Sequence, residues 1–192
     1  MSRFSLYQSG VSSSMQTIPA DSDFQSAEND PNQLVRMELA NRLFFRLYQC
    51  TNLLHKTGSR AVESEGLTTQ QWAVLGALSR PEAEGGMSVN DLARYLMVSR
   101  QNLFGVIGRM ERDGHISRAH DERDRRSRLI KMTESGRIVW QIKARPKIQS
   151  YYEEALNEFS LGDLTHMLHY LLKLRDNMQR LDQGAGEPAD AP

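Results

Sequence analysis

Apolar residues after Ser99 recur at intervals of three and four positions, a spacing that predicts a helix with one buried face. The apolar positions are Leu103, Val106, Ile107 and Met110. Ser99 is a typical N-cap and Gly114 a typical left-handed stop, so we expect the helix to lie between them. Gly105 and Gly108 fall on the opposite side, where they would let the helix sit close to another surface.

The same patterning predicts short helices before this one and a hairpin after it. Capping boxes begin at Thr68 and Ser88, and the second short helix ends just before the Ser99 cap, as in a helix-turn-helix unit. Two short strands are expected at 116–119 and 128–132, joined by a charged tip at 120–127. A tip of that polarity is too costly to bury, so it should project from the fold as a wing.

Long apolar stripes predict helices at both ends of the chain. The first should start at Asp30-Pro31 and run to about Thr57, with Gly58 as its stop. Thr133 should cap another long helix that Pro146 kinks or divides, and Ser160 should open the last helix. These stripes exceed what a small domain can cover, so we expect them to pack together in a two-fold homodimer.

The sequence therefore predicts a mainly α fold with a small β-hairpin wing. We expect a winged helix-turn-helix domain at 66–144, with N- and C-terminal dimerisation helices at 31–65 and 145–182. Residues 1–30 are expected to be a flexible arm and residues 183–192 a disordered tail.

Charge is concentrated near the wing. The chain has 24 Lys and Arg against 24 Asp and Glu, a net of zero. Between Arg94 and Lys131, ten basic residues stand against five acidic ones, a local net of +5. A charge run is usually only a solvated surface, but a preceding helix-turn-helix pattern favours double-stranded DNA as the partner.

The segment Leu67–Gly136 resembles the MarR family of winged helix-turn-helix transcription regulators. The matching pieces are LTTQQWAVL, SVNDLARYLMVSRQNLFGVIGRMERDGHI and DERDRRSRLIKMTESG. The last is the most specific, since the family's wing has Asp-x-Arg, here Asp124 and Arg126, and then Leu-Thr-x-x-Gly, here 132–136. Met132 replaces the usual Leu, a volume-conserving change.

Candidate DNA contacts follow from the helix start and the wing. Arg100, Gln101 and Asn102 could contact base edges in the major groove, although a phosphate contact is equally expected for each one. The resemblance implies that Asp124 and Arg126 brace the wing, while Arg123 or Arg125 enters the minor groove. Further phosphate contacts are expected from Ser88, Ser99, Arg109 and Arg118. A dimer should bind an inverted repeat with recognition helices about 34 Å apart.

The resemblance also implies an effector, a small and often aromatic anion bound between the dimer helices and the winged head, whose binding releases DNA. Arg46 is a cation on an apolar stripe and could pair with a ligand carboxylate, although an ordinary salt bridge is the commoner role. The other candidate lining residues, which are also typical of plain core, are Tyr48, His55, Trp72 and Met97. An aromatic acid or its thioester would suit such a crevice.

Several alternatives stay open. Redox sensing through Cys50 and ligand-independent architectural DNA binding compete with an effector-released repressor, the family's commoner mode. His166 and His169, with Asp163, are a weak metal candidate, and a solvent-facing pair is favoured. We expect no cofactor, and the chain lacks the common catalytic motifs, so an enzyme is not expected. A single cysteine and no evident signal or membrane span favour the cytoplasm.

Overall fold

A computed structural model of the protein describes residues 31–120 and 128–184. Its α-helices are α1 (Pro31–Val62), α2 (Thr69–Leu78), α3 (Val89–Leu96), α4 (Arg100–Arg112), α5 (Glu134–Ile138), α6 (Arg145–Ala155) and α7 (Leu161–Gly184). Its strands are β1 (Met87–Ser88), β2 (Ile116–His120) and β3 (Arg128–Met132). The predicted arm, the Asp30 cap, the wing tip and the tail lie outside the described residues.

The chain divides between Thr51 and Asn52 into two compact units. In the first unit, α1 is solvent-facing, with Leu34, Leu39 and Leu43 each more than half exposed. The predicted apolar stripe is therefore present and uncovered within one chain. The domain limits expected from the sequence stay a prediction.

In the second unit, Gly58 does not end α1 as expected. The helix continues to Val62, and Gly58 is buried inside it. A Cβ at Gly58 would lie 2.6 Å from the Cγ2 of Thr69, so this glycine permits close packing rather than a turn. The chain turns instead at Gly66, where φ is 70°.

The core of the second unit forms where α2, α3 and α4 meet the sheet. Fully buried side chains come from every one of these elements and from the end of α1: Val62, Val74, Leu75, Leu92, Leu103, Ile107, Met110, Ile116 and Ile130. Burying each such side chain contributes roughly 1.5–3 kcal/mol. The predicted helix-turn-helix is confirmed, and its two helices are locked to a common core.

The sheet has three antiparallel strands in the order β1-β3-β2. Strands β2 and β3 pair from Ile116↔Met132 to His120↔Arg128, as the predicted hairpin requires. Strand β1 was not predicted, because two residues are too few to show an alternating pattern. It pairs Met87 with Ile130 and so fastens the loop before α3 to the wing.

Pro146 divides the helical run after the sheet, as predicted. Residues Val139–Ala144 form a π-helical turn, and α6 begins directly after it with Pro146 in its first turn. Proline has no backbone N–H to donate and crowds the preceding turn, which accounts for the wider winding there.

Helix α7 also exposes most of its apolar side chains. The exposed residues are Leu161, Met167, Leu168, Tyr170, Leu171, Leu172, Met178 and Leu181. Its start is well defined, since Ser160 Oγ accepts from the N–H of Asp163 and the Asp163 carboxylate accepts from the N–H of Ser160. Hydrogen bonds from Ser160 lower the pKa of Asp163.

Candidate nucleic-acid interface and adjoining cavity

Helix α4 starts where the sequence predicts. Ser99 Oγ accepts a hydrogen bond from the backbone N–H of Asn102 at 3.2 Å. The helix ends before Gly114, whose φ of 74° suits a left-handed stop. Leu103 and Ile107 are at most 2% exposed. Their burial fixes the rotation of α4 about its axis, so the opposite side of the helix faces solvent.

The centre of the solvent-facing side of α4 carries small and polar residues. Gln101, Gly105, Gly108 and Arg112 follow one another at helical spacing along its centre. Arg100 and Arg109 flank this line, and both are exposed. The long contact of Arg100 Nη1 with Asn90 Oδ1, at 3.5 Å, leaves its remaining N–H donors for an incoming acceptor.

The base of the wing is fastened to α4 by polar contacts. Arg118 Nε lies 3.1 Å from Glu111 Oε2, joining β2 to α4. Thr133 Oγ1 donates to the carbonyl of Gly114 at 2.7 Å and accepts from the N–H of Gly136 at 3.0 Å. A Cβ at Gly136 would lie 2.0 Å from the carbonyl oxygen of His115, so only glycine fits there. The Thr-x-x-Gly motif therefore holds the start of α5 against the turn between α4 and β2.

The predicted wing contacts Arg123, Asp124, Arg125 and Arg126 lie outside the described residues. The structure does place Arg128, which is exposed, opposite His120 in the strand pair next to the wing tip. Of the lower-ranked phosphate contacts, Arg118 is paired with Glu111. The Ser88 hydroxyl accepts from the backbone N–H of Asp91 at 3.1 Å, which caps α3, and it donates to the Asp91 carboxylate at 2.7 Å.

A cavity of about 490 Å³ adjoins the inner side of α4. Its walls come from α1, α2, the α3–α4 turn, α4 and α6, and they are lined by Leu54, His55, Thr69, Gln70, Trp72, Ala73, Val74, Leu96, Val98, Asn102, Leu103, Val106 and Tyr152. This volume lies within the usual range for small-molecule sites, about 300–1,000 Å³. Most of the lining is apolar or aromatic, which suits an aromatic ring.

Polar groups of the cavity are few and held in place. His55 Nδ1 lies 3.1 Å from Thr69 Oγ1, which also contacts Ser59 Oγ at 3.0 Å. The Trp72 ring packs against the Tyr152 ring with centroids 5.6 Å apart. Partial burial raises the pKa of Tyr152 above its ordinary value, and the neutral hydroxyl can donate a hydrogen bond.

Two of the five predicted ligand residues, His55 and Trp72, line this cavity. Arg46 and Tyr48 belong to the first unit, where Arg46 is exposed and its Nη1 donates to Gln49 Oε1 at 2.8 Å. The side chain of Met97 does not line the cavity. It is 52% exposed, and its Sδ accepts from Gln179 Nε2 at 3.5 Å.

The sequence did not single out two residues that matter here. Tyr152 follows no motif, and it joins the cavity because α6 packs beside α2 through the Trp72 ring. Phe104, half exposed on the outer side of α4, falls outside the apolar spacing that defines the buried face. A large apolar residue on the polar side of a helix was the available signal.

Other candidate sites find little support among the described residues. No group of three or more His, Cys, Asp or Glu side chains in 31–120 and 128–184 could hold a metal. No helix in that part of the chain is long and apolar enough to span a bilayer. Cys50 is exposed and free.

A helix-turn-helix unit with its second helix facing outward, braced against a three-stranded antiparallel sheet, defines a winged helix-turn-helix DNA-binding protein. The sequence profile of the MarR family matches residues 65–127. The chain is 74% identical, over 80% of its length and 89% of the relative's, to the transcriptional activatory protein BadR of Rhodopseudomonas palustris. It therefore belongs to the MarR family of DNA-binding transcriptional regulators, as the sequence resemblance predicted.

More distant proteins are similar in sequence or in fold. The homoprotocatechuate degradative operon repressor of Escherichia coli is 30% identical over 66% of this chain and 84% of its own. The organohalide-sensing regulator RdhR, solved with 2,4-dichlorophenol, has a TM-score of 0.66 at 23% identity over 80% and 89% of the two chains. CouR of Rhodococcus jostii, solved with p-coumaroyl-CoA, has a TM-score of 0.62 at 22% identity over 71% of this chain and 93% of its own. MosR of M. tuberculosis, solved with DNA, has a TM-score of 0.62 at 23% identity over 71% of this chain and 96% of its own.

Proposed function

We propose that this transcriptional regulator binds an inverted-repeat operator as a homodimer and that an aromatic effector in the cavity beside α4 changes its affinity for DNA. The cavity carries this proposal, because its wall includes Asn102 in the first turn of α4 and Leu103 and Val106 directly after it. A ligand there would touch the DNA-reading helix directly.

The proposed switch acts through the position of α4. The N-terminal turn of α4 presents Arg100, Gln101 and Asn102 to the groove, and the capping bond from Asn102 to Ser99 holds that turn. An effector that packs on Leu103 would shift the helix or draw the Asn102 side chain inward. Binding of effector and DNA are then coupled, and each changes the other's affinity by the same factor.

The chemistry of the cavity favours a ring with little charge inside it. Of the described side chains that line it, His55 is the one that can carry a positive charge. A phenol or the acyl part of an aromatic thioester fits this lining, with the anionic part of a thioester outside. RdhR was solved with a bound phenol and CouR with a bound aromatic thioester, which supports the same class of ligand for this chain. The predicted pairing of a ligand carboxylate with Arg46 stays a prediction.

Two observations support the homodimer. Within the first unit, α1 exposes Leu39, Leu43 and Phe45, each more than half accessible. Within the second unit, α7 exposes Leu168 and Leu181 to a similar or greater degree. Apolar surface of this extent is uncommon on a monomer and is typical of a subunit interface.

We further propose that the chain activates transcription of at least one target. The 74% identical relative is named an activator, whereas the 30% identical relative is named a repressor. The expectation of repression is therefore not confirmed. Redox sensing through Cys50 and ligand-independent DNA binding remain the competing hypotheses.

The proposal is tested by fluorescence anisotropy with the DNA upstream of the chain's own gene, titrated with phenols, aromatic acids and their coenzyme A thioesters. We expect 2,4-dichlorophenol, p-coumaroyl-CoA or a related probe to change the dissociation constant of wild-type protein at least about tenfold, a coupling free energy of about 1.4 kcal/mol. The Ala73→Phe variant fills the cavity and should bind DNA as wild type does while losing that response.

Ala155→Phe is the matched control, since this exposed alanine of α6 does not line the cavity. It should keep both DNA binding and the effector response. A full response in Ala73→Phe would refute the assignment of the cavity. Absence of specific DNA binding, or a monomer in sedimentation, would refute the operator-binding dimer.

A further inference from the structure

One large apolar side chain lies on the DNA-facing side of α4. Phe104 is 50% exposed, although its neighbours Leu103 and Val106 on the inner side are almost completely buried. A single exposed apolar residue is common on protein surfaces and proves nothing by itself. Phe104 is of interest because it lies on the helix that is proposed to read DNA.

Phe104 stands among the residues expected to meet base edges. It follows Gln101 by three positions and Arg100 by four, so the three side chains lie next to one another on the helix surface. The aromatic ring therefore has a bidentate donor and an amide as immediate neighbours. In the major groove, an apolar side chain among such groups is suited to the C5-methyl group of thymine.

The two glycines of α4 are an independent observation. A Cβ at Gly108 would meet no atom of the described chain within 4 Å, and one at Gly105 would meet only Arg109 Nη1, at 3.8 Å. No contact within the described chain requires glycine at either place, yet each weakens the helix relative to alanine. Gly108 lies four positions after Phe104 on the same surface, so this part of α4 has a flat, bare backbone beside a ring.

We propose that Phe104 is a specificity-determining residue that packs on a thymine methyl group, with Gly105 and Gly108 allowing the backbone of α4 to approach the bases. The inference rests on the proposed binding of an operator. It assigns sequence preference to an apolar contact in addition to the polar contacts of Arg100 and Gln101. Replacing thymine by uracil removes that methyl group and leaves the base-pairing atoms unchanged.

The test begins by selecting DNA from a random duplex library with the full-length wild-type protein. Each thymine of the selected site is then replaced singly by uracil, and affinities are measured by anisotropy. We expect at least one position where uracil weakens wild-type binding about fourfold, as removal of one buried methyl group predicts. In Phe104→Ala, the thymine and uracil duplexes should bind equally at that position.

Two further variants separate methyl recognition from general damage. Gln101→Ala should weaken binding but keep the thymine preference, and Phe104→Leu should keep part of it. The role of Phe104 would be refuted if Phe104→Ala still preferred thymine to uracil, or if wild type bound the uracil duplexes equally well at every position. Either result would leave the proposed operator binding intact. If wild type enriches no DNA sequence, the proposed operator binding fails and the inference with it.

Discussion

Replacing Gly108 by alanine should make the protein more stable and a weaker DNA binder at the same time. Alanine in place of glycine inside a helix contributes about 1 kcal/mol through its lower backbone entropy in the unfolded chain. Gly108 has helical backbone in the middle of α4, and a Cβ there would meet nothing within 4 Å. The full stabilisation of about 1 kcal/mol should therefore be measured, as a rise in Tm of roughly 2–4 °C.

The expected loss of DNA affinity has a different origin. If α4 lies close to the bases at Gly108, the added methyl group holds the helix away and disrupts at least one base contact. A good bidentate contact is worth about 1–3 kcal/mol, which corresponds to roughly 5- to 150-fold in the dissociation constant. If the substitution instead unfolded the protein, the Tm and the DNA affinity would fall together.

Gly76→Ala is the matched control. Gly76 is also inside a helix, α2, and its Cβ would meet Trp140 at 3.4 Å, an ordinary contact distance. Differential scanning calorimetry and anisotropy on both variants should show unchanged DNA binding for Gly76→Ala. The reasoning is refuted if Gly108→Ala binds operator DNA with wild-type affinity, or if it lowers the Tm.

Two other predictions concern charge. The logarithm of DNA affinity should fall linearly with the logarithm of salt concentration at about 0.9 per phosphate neutralised. Arg125→Ala should reduce that slope by about one, and an unchanged slope would count against a phosphate contact from the wing. If Arg100 contacts guanine, Arg100→Ala should relax the preference for guanine at that one position. Away from the wing, Lys147 of α6 donates to Glu65 and lowers the pKa of that carboxyl. A lowered pKa means that the stabilisation is present above the ordinary carboxyl pKa and is lost as pH falls through the folded value. Glu65→Gln should therefore flatten the acid side of the Tm-against-pH curve relative to wild type, and an unchanged curve would show that the pair contributes no measurable stability.

Local patterns in the sequence predicted most of the elements that carry the proposed site. Caps such as Ser99 and stops such as Gly114 act through backbone atoms a few residues away, so the local sequence suffices to predict them. The three-and-four spacing of Leu103, Val106, Ile107 and Met110 likewise indicated which side of α4 is buried.

Gly58 shows where local signals are insufficient. Its residue type suits a helix stop as well as a close contact, and only the position of Thr69 against α1 decides between them. Strand β1 is similar, since its two residues become a strand only by pairing with β3.

The sequence by itself determined the winged helix-turn-helix architecture and the buried side of α4, because both follow from periodic burial and capping between near neighbours. The tertiary structure decided which distant residues share a cavity. Tyr152 and His55 reach the inner side of α4 from other helices, although both lie far from α4 along the chain. The packing of elements that are far apart in the chain, which no local spacing encodes, formed the cavity beside α4.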